Sequence, residues 1–412
     1  MQRSGTTIAA TGFRWTDLLR PDDLIVWGQA NAEPTTLTHC LMEQKDALPA
    51  VRAFVGIGYA GSACPDHADR IAVQSYCGTG TNRALGDALS ILPVAYDQLA
   101  PLLGAQEPVL LLSLAPGVDA DHFGFGAGAD YPTDIIGSAR LVIAEVNRQA
   151  PRTGAGREIR RNQIDLIVET DTPLPLAPAT RIGAVDSAIA QRVAELIPDG
   201  ATLQIGLGSI PAAVLRRLHD HRDLGIHSGL ICDEVAMLAE AGVVTNTRKT
   251  VDRGHTVCGV LAGGEALLTW ANDNHALRLR PTSYTHDSAV LRSIENLVAL
   301  NSAIEIDLSG QVNAELADGR YVGAVGGAGA FLRGAQAARG GLPIVALPST
   351  VGERSRIVAR LSGPVSTSRS DVGIVVTEFG SVDLRGTDLR RRRELLLSIC
   401  DPAHRTAIEA AL

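Results

Sequence analysis

The stretch ATLQIGLGSIPAAVLRRLHDHRDLGIHSGLICDEVAMLAEAGVVTN, residues 201–246, carries the pattern on which the fold turns. Thr202 to Ile205 reads as a buried strand, Gly206 and Gly208 as a glycine turn, and Ser209 with Pro211 as the opening of a helix. A Ser at a helix start and a Pro just inside it are ordinary entry signals. Gly225 to Ser228 reads as a second short strand. A glycine turn between strand and helix lets a backbone or a ligand come close, and a helix N-terminus favours an anion. GLGSIP alone fits a plain βα turn as well as an anion or thioester site.

The same alternation extends in both directions. Residues 51–59, 70–76, 108–116, 139–147 and 163–170 are apolar runs of strand length, too continuous for sheets wetted on one side. Strands buried on both faces imply a mostly parallel sheet covered by helices. Thr172 to Pro178, TPLPLAP, is the expected linker, because clustered prolines stiffen a connection and fit neither helix nor sheet interior. Beyond it, 187–197 reads as an amphipathic helix, and 297–312, 341–349 and 371–380 as later strands. A glycine-rich turn, Gly323 to Gly329, precedes a helix, and the tail from 384 reads as two helices. The expectation is an α/β protein with two related open-sheet domains, 1–178 and 179–412.

Composition bounds the function. A chain of 412 residues, 45% hydrophobic and 20% charged, is long enough for two domains with full cores. Its net charge of −8 argues against nucleic-acid or anionic-membrane partners, which need a positive surface. The start, MQRSGTTIAATGFRWTD, has no apolar core of a signal peptide, and no run approaches the roughly twenty apolar residues of a membrane span. A cytoplasmic location is expected. The six cysteines lack CxxC or Cys/His ligand spacing, so neither a disulfide framework nor a metal site is expected. Arg390 to Arg393 reads as a solvated helix face.

Taken together, WGQANAEPTTL, SYCGTGTNRAL, IAEVNRQAPRT, TLQIGLGSIP, DLGIHSG, GVVTNTRKT, NSAIEIDLSGQV, GAVGGAGAFLRGA, ALPST, TSRSDVGIVVTEFG and LRGTDLR resemble the acetyl-CoA hydrolase/transferase family, from about Trp27 to the C-terminus. Within it the chain is most similar to the 4-hydroxybutyrate and acetate CoA-transferases of the class I CoA-transferase fold. The resemblance implies a homodimer with coenzyme A held mainly by the second domain. It also implies covalent catalysis by a glutamate, through an acyl anhydride and a glutamyl-CoA thioester. By the same resemblance, Gly206, Gly208, Gly326, Gly327 and Ser349 are the expected CoA contacts, and the Gly327 amide is an oxyanion donor.

Carried over residue by residue, the resemblance exposes three departures. The family's glutamate, in a string like GIHTEM, aligns with Gly229 of GIHSGL, which has no side chain to attack with. The family's oxyanion Asn aligns with His286 of YTHDS, and the acid of its GGxxDF string aligns with Ala330. Glu378, in VTEFG, matches a family glutamate and is intact.

The scaffold is retained while the chemistry is replaced. The leading expectation is an acyl-CoA-dependent acyl transfer in which an external nucleophile attacks the thioester directly. An imidazole suits general-base work there, since it titrates near neutrality; His286 as a hydrogen-bond donor in place of Asn, or as a loop histidine, are the other readings. Hydrolysis needs only water in place of the acceptor. An ordinary CoA-transferase using Asp233 or Glu234, and a non-catalytic CoA-thioester-binding protein, are the remaining alternatives. His227 reads as structural, Cys232 as buried, and Cys77 as a turn residue on the substrate side of the first domain.

Overall fold

The computed structural model describes residues 3–9, 13–154 and 158–411. The chain forms two compact units. The first comprises the chain up to Pro178 together with Gly229–Asp233 and Val257–Thr285; the second comprises Ala179–Ser228, Glu234–Thr256 and the chain from His286 onward. The two later segments of the first unit therefore come from beyond the linker at 172–178.

In the first unit the strands lie in the spatial order Thr6–Ile8, Leu166–Thr170, Leu141–Asn147, Val109–Pro116, Leu24–Trp27, Val51–Phe54, Ile71–Ser75 and Leu89–Ile91. Every neighbouring pair is parallel. Leu24–Trp27 and nearly all of Val109–Pro116 are buried, as strands covered on both faces must be. One face packs Trp15, Trp27, Leu37, Leu41 and Ile71 into a continuous core.

In the second unit Gly225–Ile226, Thr202–Ile205, Leu297–Ser302, Leu342–Ala346 and Ile374–Thr377 form a parallel sheet, and Gly380–Asp383 closes it as an antiparallel edge. Helix Ala184–Leu196 precedes these strands in the chain, and Ser209–Arg217 and Ala328–Ala337 run between them. Pro211 sits in the first turn of its helix, where a missing N–H costs no intrahelical bond.

The sequence expectation of one strand over 297–312 is corrected. The run divides into Leu297–Ser302, Glu305–Asp307 and Val312–Asn313. The Asp307 carboxylate accepts the amides of Ser309 (2.9 Å) and Gln311 (3.0 Å), and Gly310 turns at φ +94°, so a side chain organises a turn inside an apolar run. The strand expected over Gly225 to Ser228 is shorter, Gly225–Ile226. The Ser228 hydroxyl takes over its end, contacting Ile205 N (3.3 Å) and Ile205 O (3.2 Å).

Candidate functional site

In an open parallel sheet, ligands bind outside the carboxyl ends of the strands, where strand-to-helix turns expose backbone amides. The second unit places Gly206, Ser349 and Glu378 there. Gly206 follows Thr202–Ile205, Ser349 lies three residues past Leu342–Ala346, and Glu378 directly follows Ile374–Thr377. Between them, the buried amides of Gln204 and Asn301 pair side chain to side chain at 2.9 and 3.3 Å. Sequence reading did not single out this pair: Gln204 lies in TLQIGLGSIP and Asn301 in NSAIEIDLSGQV, but nothing in either string shows that the two side chains meet.

Gly208 has φ +126° and caps the N-terminus of Ser209–Arg217, a conformation L-residues rarely adopt. Gly206 is different. A Cβ there would meet Leu300 O at 3.5 Å, Asn301 Oδ1 at 3.6 Å and Asn301 Cα at 3.9 Å, ordinary contacts. The Ser209 hydroxyl donates to Asp186 Oδ1 at 3.0 Å, tying the turn to the first turn of helix Ala184–Leu196.

Ser349 and Glu378 form a clamp across two adjacent strand ends. Glu378 Oε2 accepts the Ser349 amide at 2.8 Å and Oε1 accepts its hydroxyl at 2.6 Å. Both carboxylate oxygens are thus engaged, and the Arg192 guanidinium donates to the Glu378 carbonyl at 3.1 Å.

His286 and Gly327 are brought together. His286 follows the short helix Thr282–Thr285, is 5% exposed, and sets its ring against Phe331 at 4.7 Å between centroids. Phe331 belongs to the apolar core of this unit, so the imidazole rests on a fixed wall. A Cβ on residue 327 would collide with His286 Nε2 and lie 3.0 Å from its Cδ2. Gly327 is also the N-cap of Ala328–Ala337, and Gly326 before it is left-handed at φ +57°. The ring nitrogen and the amide end of a ten-residue helix therefore face one small region. Asp287 Oδ1 caps the next helix through the amides of Ala289 and Val290, both at 2.8 Å.

The first unit holds the position of the expected nucleophile. Gly229 is half-buried, and its carbonyl accepts the amides of Gly259 (3.0 Å) and Val260 (3.2 Å). The nearest acids downstream are already committed. Asp233 caps helix Glu265–Ala271 through the amides of Gly264 (2.8 Å) and Leu267 (3.0 Å). Glu234, in the second unit, is paired with Arg216 at 2.9 Å. His227 is fully buried, and burial pushes the Cys77 thiol up.

The string GQANAE forms a clamped loop in this unit. Gln29 donates to Asp130 Oδ2 (2.7 Å) and accepts from Tyr76 (2.9 Å) and the Ile57 amide (3.0 Å). Asn31 exchanges hydrogen bonds with Gly263 at 2.8 and 2.9 Å. Glu33 accepts the amides of Tyr59 and Ala60 and the hydroxyl of Ser62 (3.1 Å). Between Gln29 and Asn31, Ala30 is held at φ +53°, a strained conformation sustained by these clamps. Burial raises the carboxyls of Glu33 and Asp130, the latter to about 6. Alternating polar residues at 29, 31 and 33 were visible in the sequence, but their partners lie far along the chain.

The chain is similar to known proteins over nearly its whole length. Residues 263–412 match the family model described as acetyl-CoA hydrolase/transferase C-terminal domain. A 4-hydroxybutyrate coenzyme A transferase of Clostridium kluyveri is 35% identical over 93% of this chain and 92% of its own. The chain belongs to the acetyl-CoA hydrolase/transferase family. A succinyl-CoA:cyclohexane-1-carboxylate CoA transferase of Geobacter metallireducens is 30% identical over 96% of this chain and 92% of its own. The crystal structure of RipA from Yersinia pestis superposes with a TM-score of 0.92 at 31% identity, covering 98% of this chain and 96% of that one. The α/β fold is that of the family's solved structures, and the chain is an acyl-CoA-dependent enzyme of the transferase class. Among the described residues no group of His, Cys, Asp and Glu could hold a metal ion, and no helix is long and apolar enough to cross a membrane.

Proposed function

We propose that this protein catalyses acyl transfer from an acyl-CoA by direct attack of an external nucleophile on the thioester, without a glutamyl-CoA intermediate. The observation that carries the reading is the packing of His286 Nε2 on Gly327 at the start of helix Ala328–Ala337. A thioester oxygen held by the Gly327 amide gains its negative charge where a helix N-terminus favours it. The imidazole takes the proton of the incoming nucleophile, and the departing CoA thiolate is protonated in turn. The absent side chain at Gly229, and the engagement of Asp233 and Glu234 with other partners, favour this route over a carboxylate nucleophile.

In this reading residues 179–412 supply most of the coenzyme A site, with Gly206, Gly208, Gly326, Gly327 and Ser349 against the cofactor. Glu378 positions the Ser349 loop. The acyl acceptor is a small molecule, and the protein acts as a homodimer in the cytoplasm. Water in place of the acceptor makes the same machinery a hydrolase.

The test is release of CoA from acetyl-CoA and longer acyl-CoAs, with and without carboxylate, amine and alcohol acceptors, followed by mass spectrometry of the protein. CoA release without any protein-bound CoA is expected. A CoA adduct on Asp233 or Glu234 overturns the reading in favour of ordinary CoA transfer. No release and no binding of any acyl-CoA removes it altogether; binding without release identifies a non-catalytic binder.

A further inference from the structure

We propose that the buried amide pair of Gln204 and Asn301 recognises an amide group in the pantetheine arm of acyl-CoA, a binding role separate from the chemistry at His286 and Gly327. The inference rests on the reading of this unit as the coenzyme A site.

The pair stands where an open sheet takes its ligands. Thr202–Ile205 has Gly225–Ile226 on one side and Leu297–Ser302 on the other, so the order of strands reverses across it. Ligands of open α/β sheets lie at such a reversal, outside the carboxyl ends of the strands. Gln204 and Asn301 are each the last residue but one of their strands.

The face they occupy is fixed by the register. Side chains alternate along a strand, so Asn301 shares a face with Leu297 and Ala299, and Gln204, opposite Ala299, shares it too. Leu297 and Ala299 lie in one core with Phe331, Leu332 and Ala335 of helix Ala328–Ala337. That helix begins at Gly327, and Phe331 is the wall under the His286 ring. Glycine at 206 leaves free of side chain a point 3.6 Å from Asn301 Oδ1, where a Cβ would stand. Asn301, 8% exposed against 4% for Gln204, is the side from which a ligand reaches the pair.

The hydrogen-bond count selects the ligand. A primary amide has two N–H groups and an oxygen with two lone pairs. Gln204 gives one N–H to Asn301 Oδ1 (3.3 Å), and Asn301 gives one to Gln204 Oε1 (2.9 Å). Among the described residues neither side chain makes another hydrogen bond. Each therefore keeps one donor and one acceptor position. An ionised phosphate offers acceptors alone, and so does a thioester. A secondary amide offers an N–H and a C=O together, and the pantetheine arm contains such amides.

The test is calorimetric binding, to the intact protein, of S-ethyl-CoA, a thioether that cannot be turned over, and of two analogues in which one or the other pantetheine amide is replaced by an ethylene unit. In the wild type one analogue should bind about tenfold more weakly than S-ethyl-CoA. The double variant Gln204→Leu/Asn301→Leu replaces both partners by apolar groups and leaves no buried amide unpaired. In it, that analogue and S-ethyl-CoA should bind within about twofold of each other. A purely structural role weakens every ligand alike and keeps the wild-type ratio, which overturns the proposal. So does a wild type that binds both analogues as tightly as S-ethyl-CoA. If the double variant fails to fold by circular dichroism, Asn301→Asp, which keeps the shape and removes the N–H, serves the same comparison. A wild type that binds no S-ethyl-CoA at all is a different failure: it removes the coenzyme A reading, and this inference with it.

Discussion

His286 Nε2 stands in the space that the first side-chain atom of residue 327 would fill. The relationship makes the two positions a unit: the ring can take this place because residue 327 is glycine. Gly327→Ala must therefore push the imidazole off Phe331 or move the helix start. We expect Gly327→Ala to lower turnover by about 10²-fold, and His286→Ala combined with it to add little, because both damage one arrangement. Additive losses in the double-mutant cycle would show that the two residues act separately.

The role of the imidazole is separable from its presence. As a base, His286→Ala should reduce the rate by about 10² to 10⁴, and His286→Asn should be equally poor, since Asn offers a similar N–H but no base. The wild-type rate should then fall on acidification, as the base becomes protonated. Retention of most activity in His286→Asn assigns the residue to hydrogen-bond donation instead.

Restoring a carboxylate at the empty position is the complementary test. Gly229→Glu should gain CoA transfer to a carboxylate acceptor, with a CoA adduct on residue 229 detectable by mass spectrometry, and should lose the native reaction. A variant that folds but carries no adduct argues that this position no longer meets the thioester.

The clamp between Ser349 and Glu378 should report on CoA affinity rather than on chemistry. Glu378→Ala removes the acceptor for one amide and one hydroxyl, each bond to a charged group being worth about 1.5–3 kcal/mol. The expected result is a raised KM for acyl-CoA with kcat changed only a few-fold. A fall in kcat at constant KM would place Glu378 in the chemical step.

Stability should fall with rising pH because of Glu145. Burial raises this carboxyl from 4.5 to about 7, against the lowering effect of the Leu37 and Thr36 amides it accepts at the start of helix Thr35–Glu43. A carboxyl raised in the folded state contributes stability that is complete below its unfolded pKa. That contribution is lost as pH climbs through about 7. The loss amounts to at most about 3 kcal/mol, from 1.36 kcal/mol per pH unit. Asp130, raised to about 6 by burial, acts in the same direction. Glu145→Gln keeps an acceptor for the helix amides without the charge, so the decline in Tm between about pH 5 and 8 should flatten. A slope equal to that of the wild type would assign the pH dependence elsewhere.

The sequence by itself determined the fold class, the family and the order of the elements, because those rest on local pattern. Continuous apolar runs such as Val109–Pro116 announce parallel strands, and GLGSIP and GAVGGAGAF announce turns where helices begin. Local pattern failed at 297–312, where the Asp307 side chain builds a turn that hydrophobicity does not encode. Only the tertiary structure decided which residues meet. Forty-one positions separate His286 from Gly327, and no spacing rule predicts that one ring will stand over the other's backbone. The commitment of Asp233 to a helix more than thirty residues onward was equally hidden. So was the return of 229–233 and 257–285 to the first unit. Such contacts depend on how distant segments pack, and packing is a property of the whole chain rather than of any window within it.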